Sequence, residues 1–360
     1  MIVPVGAGTG RTKICTVKTR IEIHGEDFWI DGSPTYAGRV WEGRRIEGLL
    51  LNARMVQATF DDLNPETRDR WAYPDTGLWD PERNIREFCR ALPTYRRHGL
   101  LAVTLNFQGG SPEGYSRDQP WENSAFTPDG ALRPAYAERM RQALDAADAC
   151  GLVVIVGYFY QGQDERLVDE SAVERAVDEA TDFLLAGDWR NLLVEINNEC
   201  NTRYEHAILQ PPRVHELIQR VRERAAGQLS VSTSYGGRGR VPDESVAQVA
   251  DFLLLHGNGT SDPDLIADQV ARTRALAEYR GQPIVFNEDD HFDFDAPWNN
   301  CVAALDGHAS WGYFDPGDGA GGSAARGDYV NGYQLPPVNW DINTDRKRAF
   351  FGLVSRVAGV

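Results

Sequence analysis

Leu192-Leu193-Val194-Glu195-Ile196-Asn197-Asn198-Glu199-Cys200 decides how this chain reads. It is a short apolar run ending in an amide, a carboxylate and a thiol. That is the pattern of a strand buried on both faces that carries polar side chains to its C-terminal end. A second stretch has the same form: Pro283-Ile284-Val285-Phe286-Asn287-Glu288-Asp289-Asp290-His291. Two such strands, each with a Glu at its tip, suggest a pair of carboxylates facing one site.

Working outward, the same apolar run recurs. Gly48–Asn52 ends near Arg54, Leu100–Leu105 ends at Asn106, and Leu152–Val156 runs into Tyr158, Tyr160 and Gln161. Leu229–Thr233 ends near Tyr235, Phe252–Leu255 ends in His256, and Ala309–Tyr313 contains Trp311. Between these runs, apolar residues recur at helical spacing over Pro81–Arg97, Leu132–Leu144, Val168–Leu184, Val214–Val221, Glu244–Ala250, Leu265–Leu276, Trp298–Leu305 and Arg346–Val357. Eight alternating units of this kind predict a single α/β domain, a (β/α)8 TIM barrel filling 1–360. Residues 1–16 read as a Gly-rich arm and 17–40 as a small N-terminal β-hairpin, with a further extended piece at Thr35-Tyr36-Ala37, that plugs the barrel bottom. An open doubly wound sheet would carry a Gly-rich phosphate turn after the first strand, and Asn52-Ala53-Arg54-Met55 is not one.

The bulk properties exclude some partners. The 360 residues carry a net charge of −16, which repels nucleic acid and anionic membranes. No apolar run approaches the length of a membrane span. Five scattered cysteines without a CxxC pair read as reduced thiols, and no signal peptide is visible, so the expectation is a cytoplasmic protein.

Active sites of such barrels sit at the C-terminal ends of the strands. There the sequence places Arg54, Asn106, Tyr158, Asn198, Glu199, Tyr235, His256, Glu288 and Trp311. This set, among loops rich in Trp and Tyr, suits a carbohydrate, with aromatic faces against sugar rings and amides and carboxylates on hydroxyls. Two glutamates across a barrel can hydrolyse a glycoside, one as proton donor and one as nucleophile, with about 5 Å between them selecting retention. The expected catalytic residues are therefore Glu199 and Glu288, with no cofactor and no metal.

Asn198-Glu199 ending strand four and Glu288 ending strand seven resemble the signature of the clan-A retaining glycoside hydrolases, the cellulase-like and β-glycosidase-like TIM barrels. The resemblance spans the chain from the hairpin to the last helix. It implies Glu199 as acid/base, Glu288 as nucleophile and Asn198 on the sugar 2-hydroxyl. It also implies His256 near the nucleophile and Trp311 as the platform under the sugar. The chain departs from that pattern in three places. Cys200 stands where many relatives have Pro, Asn258 where many have Tyr, and Asn106 where an Arg usually ends strand two, a role that falls to Arg54.

Other signals have blander readings. Glu195 lies inside its strand and reads as an ion-pair member. Asp289-Asp290-His291 could suggest a cation site, but neighbours on an extended chain point in alternating directions. Cys200 has no Cys/His pattern around it and reads as packing. Trp71, Trp79, Trp121 and Trp340 could bind sugar or anchor loops. The run Gly317–Gly322 lacks the ending of a phosphate loop and reads as a flap. Two rival functions remain at this level, a metal-dependent sugar isomerase or hydrolase and a non-catalytic carbohydrate-binding barrel.

Overall fold

The structure is a computed structural model that describes residues 18–114, 118–317 and 332–360. The arm expected over 1–16, Tyr115 and the part of the expected flap from Asp318 on lie outside the described residues. Among the described residues, eight parallel strands alternate with eight helices. The strands are β1 (Asn52–Arg54), β2 (Ala102–Asn106), β3 (Val153–Phe159), β4 (Leu192–Asn197), β5 (Ser230–Ser232), β6 (Leu253–His256), β7 (Ile284–Glu288) and β8 (Gly312–Tyr313). The helices that follow them are α1 (Pro81–Arg97), α2 (Pro134–Ala149), α3 (Glu170–Ala186), α4 (Val214–Ala225), α5 (Glu244–Val249), α6 (Pro263–Arg274), α7 (Asn300–Asp306) and α8 (Asp345–Ala358).

Strands β5-β4-β3-β2-β1-β8 form one continuous sheet, and β6 pairs with β7. Single bridges, Ser234 to Leu254 and Val285 to Ser310, join the two parts and close the barrel. At the β7–β8–β1 seam side chains take over from the ladder. Asn52 Nδ2 donates to Phe286 O at 3.0 Å, and Ser310 Oγ accepts from Leu50 N at 2.8 Å. Such substitutes keep buried backbone groups paired where the strands are short.

The apolar runs are buried on both faces and divide by residue parity. Ala102, Val153, Ile155, Leu193, Leu254 and Val285 form an inner cluster, while Val154, Val156, Val194 and Ile196 join the outer layer under the helices. The strands Ile21–His24, Asp27–Ile30 and Ser33–Pro34 form an antiparallel sheet at the barrel bottom. Phe28 is fully buried in the inner cluster, with Ile21, Ile23 and Ile30 against it, so the hairpin is a plug. Thr35-Tyr36-Ala37 is a turn rather than a strand, with Tyr36 at φ 47° and its hydroxyl donating to Gly99 O.

Side-chain caps place several helix starts. Asp80 accepts from Arg83 N before Pro81, and Asp169 accepts from Ala172 N at the head of α3. Val168 therefore lies outside α3 and is exposed, as is Leu265 on the outer side of α6.

The loop tryptophans resolve into packing. Trp71, Trp79 and Trp121 are buried with Phe60, Tyr73 and Leu335 in a satellite core. Trp71 donates to Asp62 at 2.8 Å, and the buried Trp340 donates to Asn84 Oδ1 at 3.0 Å. Long loops need such anchors because their own backbone offers little apolar surface. No helix among the described residues is long and apolar enough to cross a membrane.

Candidate active site

Glu288 is the last residue of β7 and Arg54 the last of β1. Arg54 Nε stands 2.7 Å from Glu288 Oε2, and its Nη1 reaches to 3.6 Å from Glu195 Oε2 one step deeper in β4. Glu195 is completely buried and also accepts from Asn287 Nδ2 at 3.3 Å, which makes it the ion-pair member that its position within the strand suggests. Burial alone would lower the Arg54 pKa, but the charges of Glu288 and Glu195 hold it above its ordinary value.

The pairing register of β6 and β7 shifts between Leu255 and His256, so that His256 lies opposite Glu288. A bulge of this kind re-aims a side chain at a strand end. His256 Nδ1 consequently lies 3.1 Å from Glu199 Oε1 and 3.8 Å from Glu288 Oε2. Two residues on, Asn258 Nδ2 donates to Glu288 Oε1 at 2.6 Å. Asn258 thus holds the second carboxylate with an amide, at the position where many members of the resembling family have Tyr. In the sequence it is visible only as a departure from that family's pattern.

Glu199 occupies a left-handed backbone conformation, φ 53°. This costs a residue with a Cβ roughly 1–3 kcal/mol and concentrates at functional sites. The turn is held from both sides. Glu199 N donates to Ser234 Oγ at 2.9 Å, and Thr202 donates to Glu199 O through Oγ1 at 2.8 Å. Cys200 N donates to Ser234 O at 2.9 Å, a bond that Pro at this position could not make. The Cys200 thiol is buried and pushed up by that burial, away from nucleophilic character.

Glu199 and Glu288 face a cavity of about 350 Å³ that Tyr160, Gln161, Asn198 and Thr202 also line. Asn198 is buried apart from this face, with Nδ2 3.4 Å from Gln161 Oε1 and its carbonyl accepting from Tyr204. Asn106 lies deeper, facing the barrel interior. A Cβ at Gly157 would fall 2.2 Å from its Oδ1, so only glycine there lets Asn106 fold under the site.

Three expected site residues are corrected. Tyr158 lies on the outward face of β3 with Val154 and Val156, and its hydroxyl is 3.1 Å from Thr181 Oγ1 on α3. Tyr160, two residues further, is the tyrosine at the cavity. Tyr235 is buried in the outer core. Trp311 faces outward too, against Phe294, Tyr313 and Phe350, because its neighbour Gly312 faces inward against Asn52.

Among the described residues, two groups offer ligand atoms within 4.8 Å of one another, Glu199-His256-Glu288 and Asp289-Asp290-His291. In the first, the Arg54 guanidinium already neutralises Glu288, and a cation bound there would meet it head-on. In the second the chain does gather neighbours that alternation would have separated. His291 Nδ1 lies 3.2 Å from both aspartates, whose hydrogen bonds push its pKa up to about 10. A charged imidazolium there pairs with the two carboxylates.

The trio at the cavity is electrostatically linked through His256. Burial alone would lower His256, but Glu288 and Glu199 hold it above its ordinary value. Burial would raise Glu199, but the His256 hydrogen bond holds it below the usual carboxylate range. Burial pushes Glu288 up, against the pull of Arg54 and His256. Taken one carboxylate at a time, these directions are the reverse of an acid at Glu199 and an anion at Glu288. The donors separate the roles instead. The Arg54 donor to Glu288 is a permanent cation, whereas His256, 3.1 Å from Glu199, is a group that gives and takes a proton.

No family model matches the chain, and no curated protein matches it in sequence. Solved structures match its fold. A glycoside hydrolase family 5 mannosidase from Rhizomucor miehei aligns over 94% of this chain and 97% of its own at 13% identity, TM-score 0.54. A family 5 glycoside hydrolase from Bacteroides vulgatus aligns over 93% of this chain and 70% of its own at 13% identity, TM-score 0.56. The endo-1,4-β-D-mannanase of Thermotoga petrophila aligns over 86% and 99% at 13% identity, TM-score 0.50. What this chain shares with these three structures is the (β/α)8 barrel fold.

Proposed function

We propose that this chain is a retaining glycoside hydrolase acting on a β-linked sugar. The observation that carries the reading is the carboxylate pair at the cavity floor, with atoms of Glu199, His256 and Glu288 within 4.8 Å of one another and Arg54 fixed on Glu288. Carboxylates this close suit direct attack by one of them, the shorter of the two spacings that glycoside hydrolysis uses.

Glu288 attacks the anomeric carbon while the glycosidic carbon–oxygen bond breaks. The leaving oxygen takes a proton from Glu199, which draws on the proton it shares with His256 at 3.1 Å. Water then gives its proton to Glu199 and its oxygen to the anomeric carbon, freeing Glu288. Asn198, buried beside Glu199, offers its amide to a sugar hydroxyl. Mannosidase and mannanase are the named activities of two fold neighbours, which places β-mannosides first in a substrate panel.

The test is incubation with 2-deoxy-2-fluoro glycosides followed by peptide mass spectrometry, alongside Glu288→Gln. A covalent sugar on Glu288 and loss of turnover on aryl β-glycosides are expected. Undiminished hydrolysis by Glu288→Gln would falsify the assignment. Loss of wild-type activity to a chelator, with measurable bound metal, would favour a metal-dependent enzyme at the same three side chains.

A further inference from the structure

Directly after Glu288, the chain turns a carboxylate away from the cavity. Asp289 is fully buried, and its two oxygens collect donors from three directions. Oδ1 accepts from His291 N at 3.0 Å, and Oδ2 accepts from Trp311 Nε1 at 2.9 Å on the way into β8. Asn300 Nδ2, in the first turn of α7, donates to Oδ2 at 3.0 Å and also reaches Thr260 O at 2.8 Å. The backbone adds to the grip. Phe314 N donates to Asp289 O at 2.9 Å and Gly257 N donates to Glu288 O at 2.8 Å.

The fourth contact reaches the site itself. A Cβ on Gly257 would fall 2.3 Å from Asp289 Oδ2, so the carboxylate lies flat against that glycine. Gly257 sits between His256 and Asn258, the residues whose side chains touch Glu199 and Glu288. One buried carboxylate therefore braces the ends of β6, β7 and β8 and the head of α7, from outside the lining of the cavity.

We propose that Asp289 is a positioning residue that sets the placement of Glu288 and of the His256–Asn258 segment for the reaction. The inference rests on the reading of Glu288 as the attacking carboxylate. Its physical basis is the small tolerance of catalytic geometry, since a shift of about 1 Å in a reacting group costs on the order of 100-fold in rate. Asp289 works through hydrogen bonds to neutral donors and to His291, whose imidazolium it shares with Asp290. In Asp289→Asn one oxygen becomes an NH2 group that faces the indole and amide N–H donors. The two sides then repel where they now bond.

Two readouts separate this proposal from the assignment of function. In the full chain, the His256 imidazole is titrated by NMR, its signal assigned with a His256→Gln variant, in wild type, Asp289→Asn and the milder Trp311→Phe. The second readout is steady-state kcat and KM on the wild type's best aryl glycoside. Asp289→Asn is expected to lower the His256 pKa by about half a unit or more, because Glu199 and Glu288 move from Nδ1. It is also expected to lower kcat about 10- to 100-fold with KM changed less than about threefold. Trp311→Phe, which removes one donor and keeps a ring, should move both in the same direction by less.

An unchanged His256 titration in both folded variants overturns the proposal, whatever the kinetics. A changed KM with unchanged kcat also overturns it, because that places Asp289 in substrate binding. A shifted His256 titration in a wild-type protein that forms no fluoro-sugar adduct supports the bracing role and sinks the assignment of Glu288 instead. If Asp289→Asn does not fold, the Trp311→Phe titration decides.

Discussion

Arg54→Met puts the electrostatics of the site to its hardest test. The guanidinium is buried, 2.7 Å from Glu288 and 3.6 Å from Glu195, and methionine has a similar reach without the charge. Removing one partner of a buried ion pair costs about 3–5 kcal/mol, because the remaining charge stays in the interior uncompensated. Here two carboxylates lose the same cation, so the upper half of that range is expected at neutral pH. The loss should also depend on pH. Burial already pushes Glu288 up, and without Arg54 it rises further. A carboxyl whose folded pKa exceeds its unfolded value leaves the folded state holding more protons. Stability then falls as pH rises from the unfolded value to the folded one, by about 1.4 kcal/mol for each pH unit between them. Urea unfolding of wild type and variant at pH 5 and pH 7.5 measures both effects. The variant should lose several kcal/mol at pH 7.5 and clearly less at pH 5. Equal losses at the two pH values, or a loss under about 1 kcal/mol at pH 7.5, would refute the buried-pair reasoning.

Two further outcomes follow from the described geometry. Asp164 is buried beyond β3, its Oδ2 accepts from Glu205 N at 2.8 Å, and burial, with Glu165 nearby, pushes its pKa from 3.8 up to about 7. Its contribution to stability should therefore be greatest below pH 4 and decline as pH rises through 7, by on the order of 3–4 kcal/mol. Asp164→Asn keeps an acceptor for Glu205 and should flatten that slope, so a variant whose urea midpoint tracks wild type from pH 5 to pH 8 would refute this. Trp121→Ala should cost about 3–5 kcal/mol with KM unchanged, since Trp121 is part of the satellite core; a weakened KM at unchanged stability would return it to the sugar site.

The candidate site is legible in the sequence wherever a residue's level along a strand is enough. Arg54, Glu199, His256 and Glu288 all stand at strand ends, and the structure brings all four together. Tyr158, Tyr235 and Trp311 stand at comparable levels yet belong to the outer layer, because level along a strand does not determine the face. A displacement of one residue turns a side chain from the barrel interior to the helix layer. Tyr160 shares the parity of Tyr158, so counting would turn it outward as well; it reaches the cavity because β3 ends at Phe159. Counting does not find Asn258 either. Its contact with Glu288 depends on the β6 bulge, which no periodicity reports.

By itself the sequence determined the eight strand–helix units, the plugging hairpin and the two glutamates at their strand tips. Those depend on local apolar pattern, cap residues and turn chemistry, all written into neighbouring residues. Tertiary structure alone decided which donors meet which carboxylate and that Glu199 sits in a left-handed turn held by Ser234. It also decided that the buried Asp289 braces three strand ends and one helix. These contacts join residues as far apart as Arg54 and Glu288, and a separation of that length is bridged only when the barrel closes.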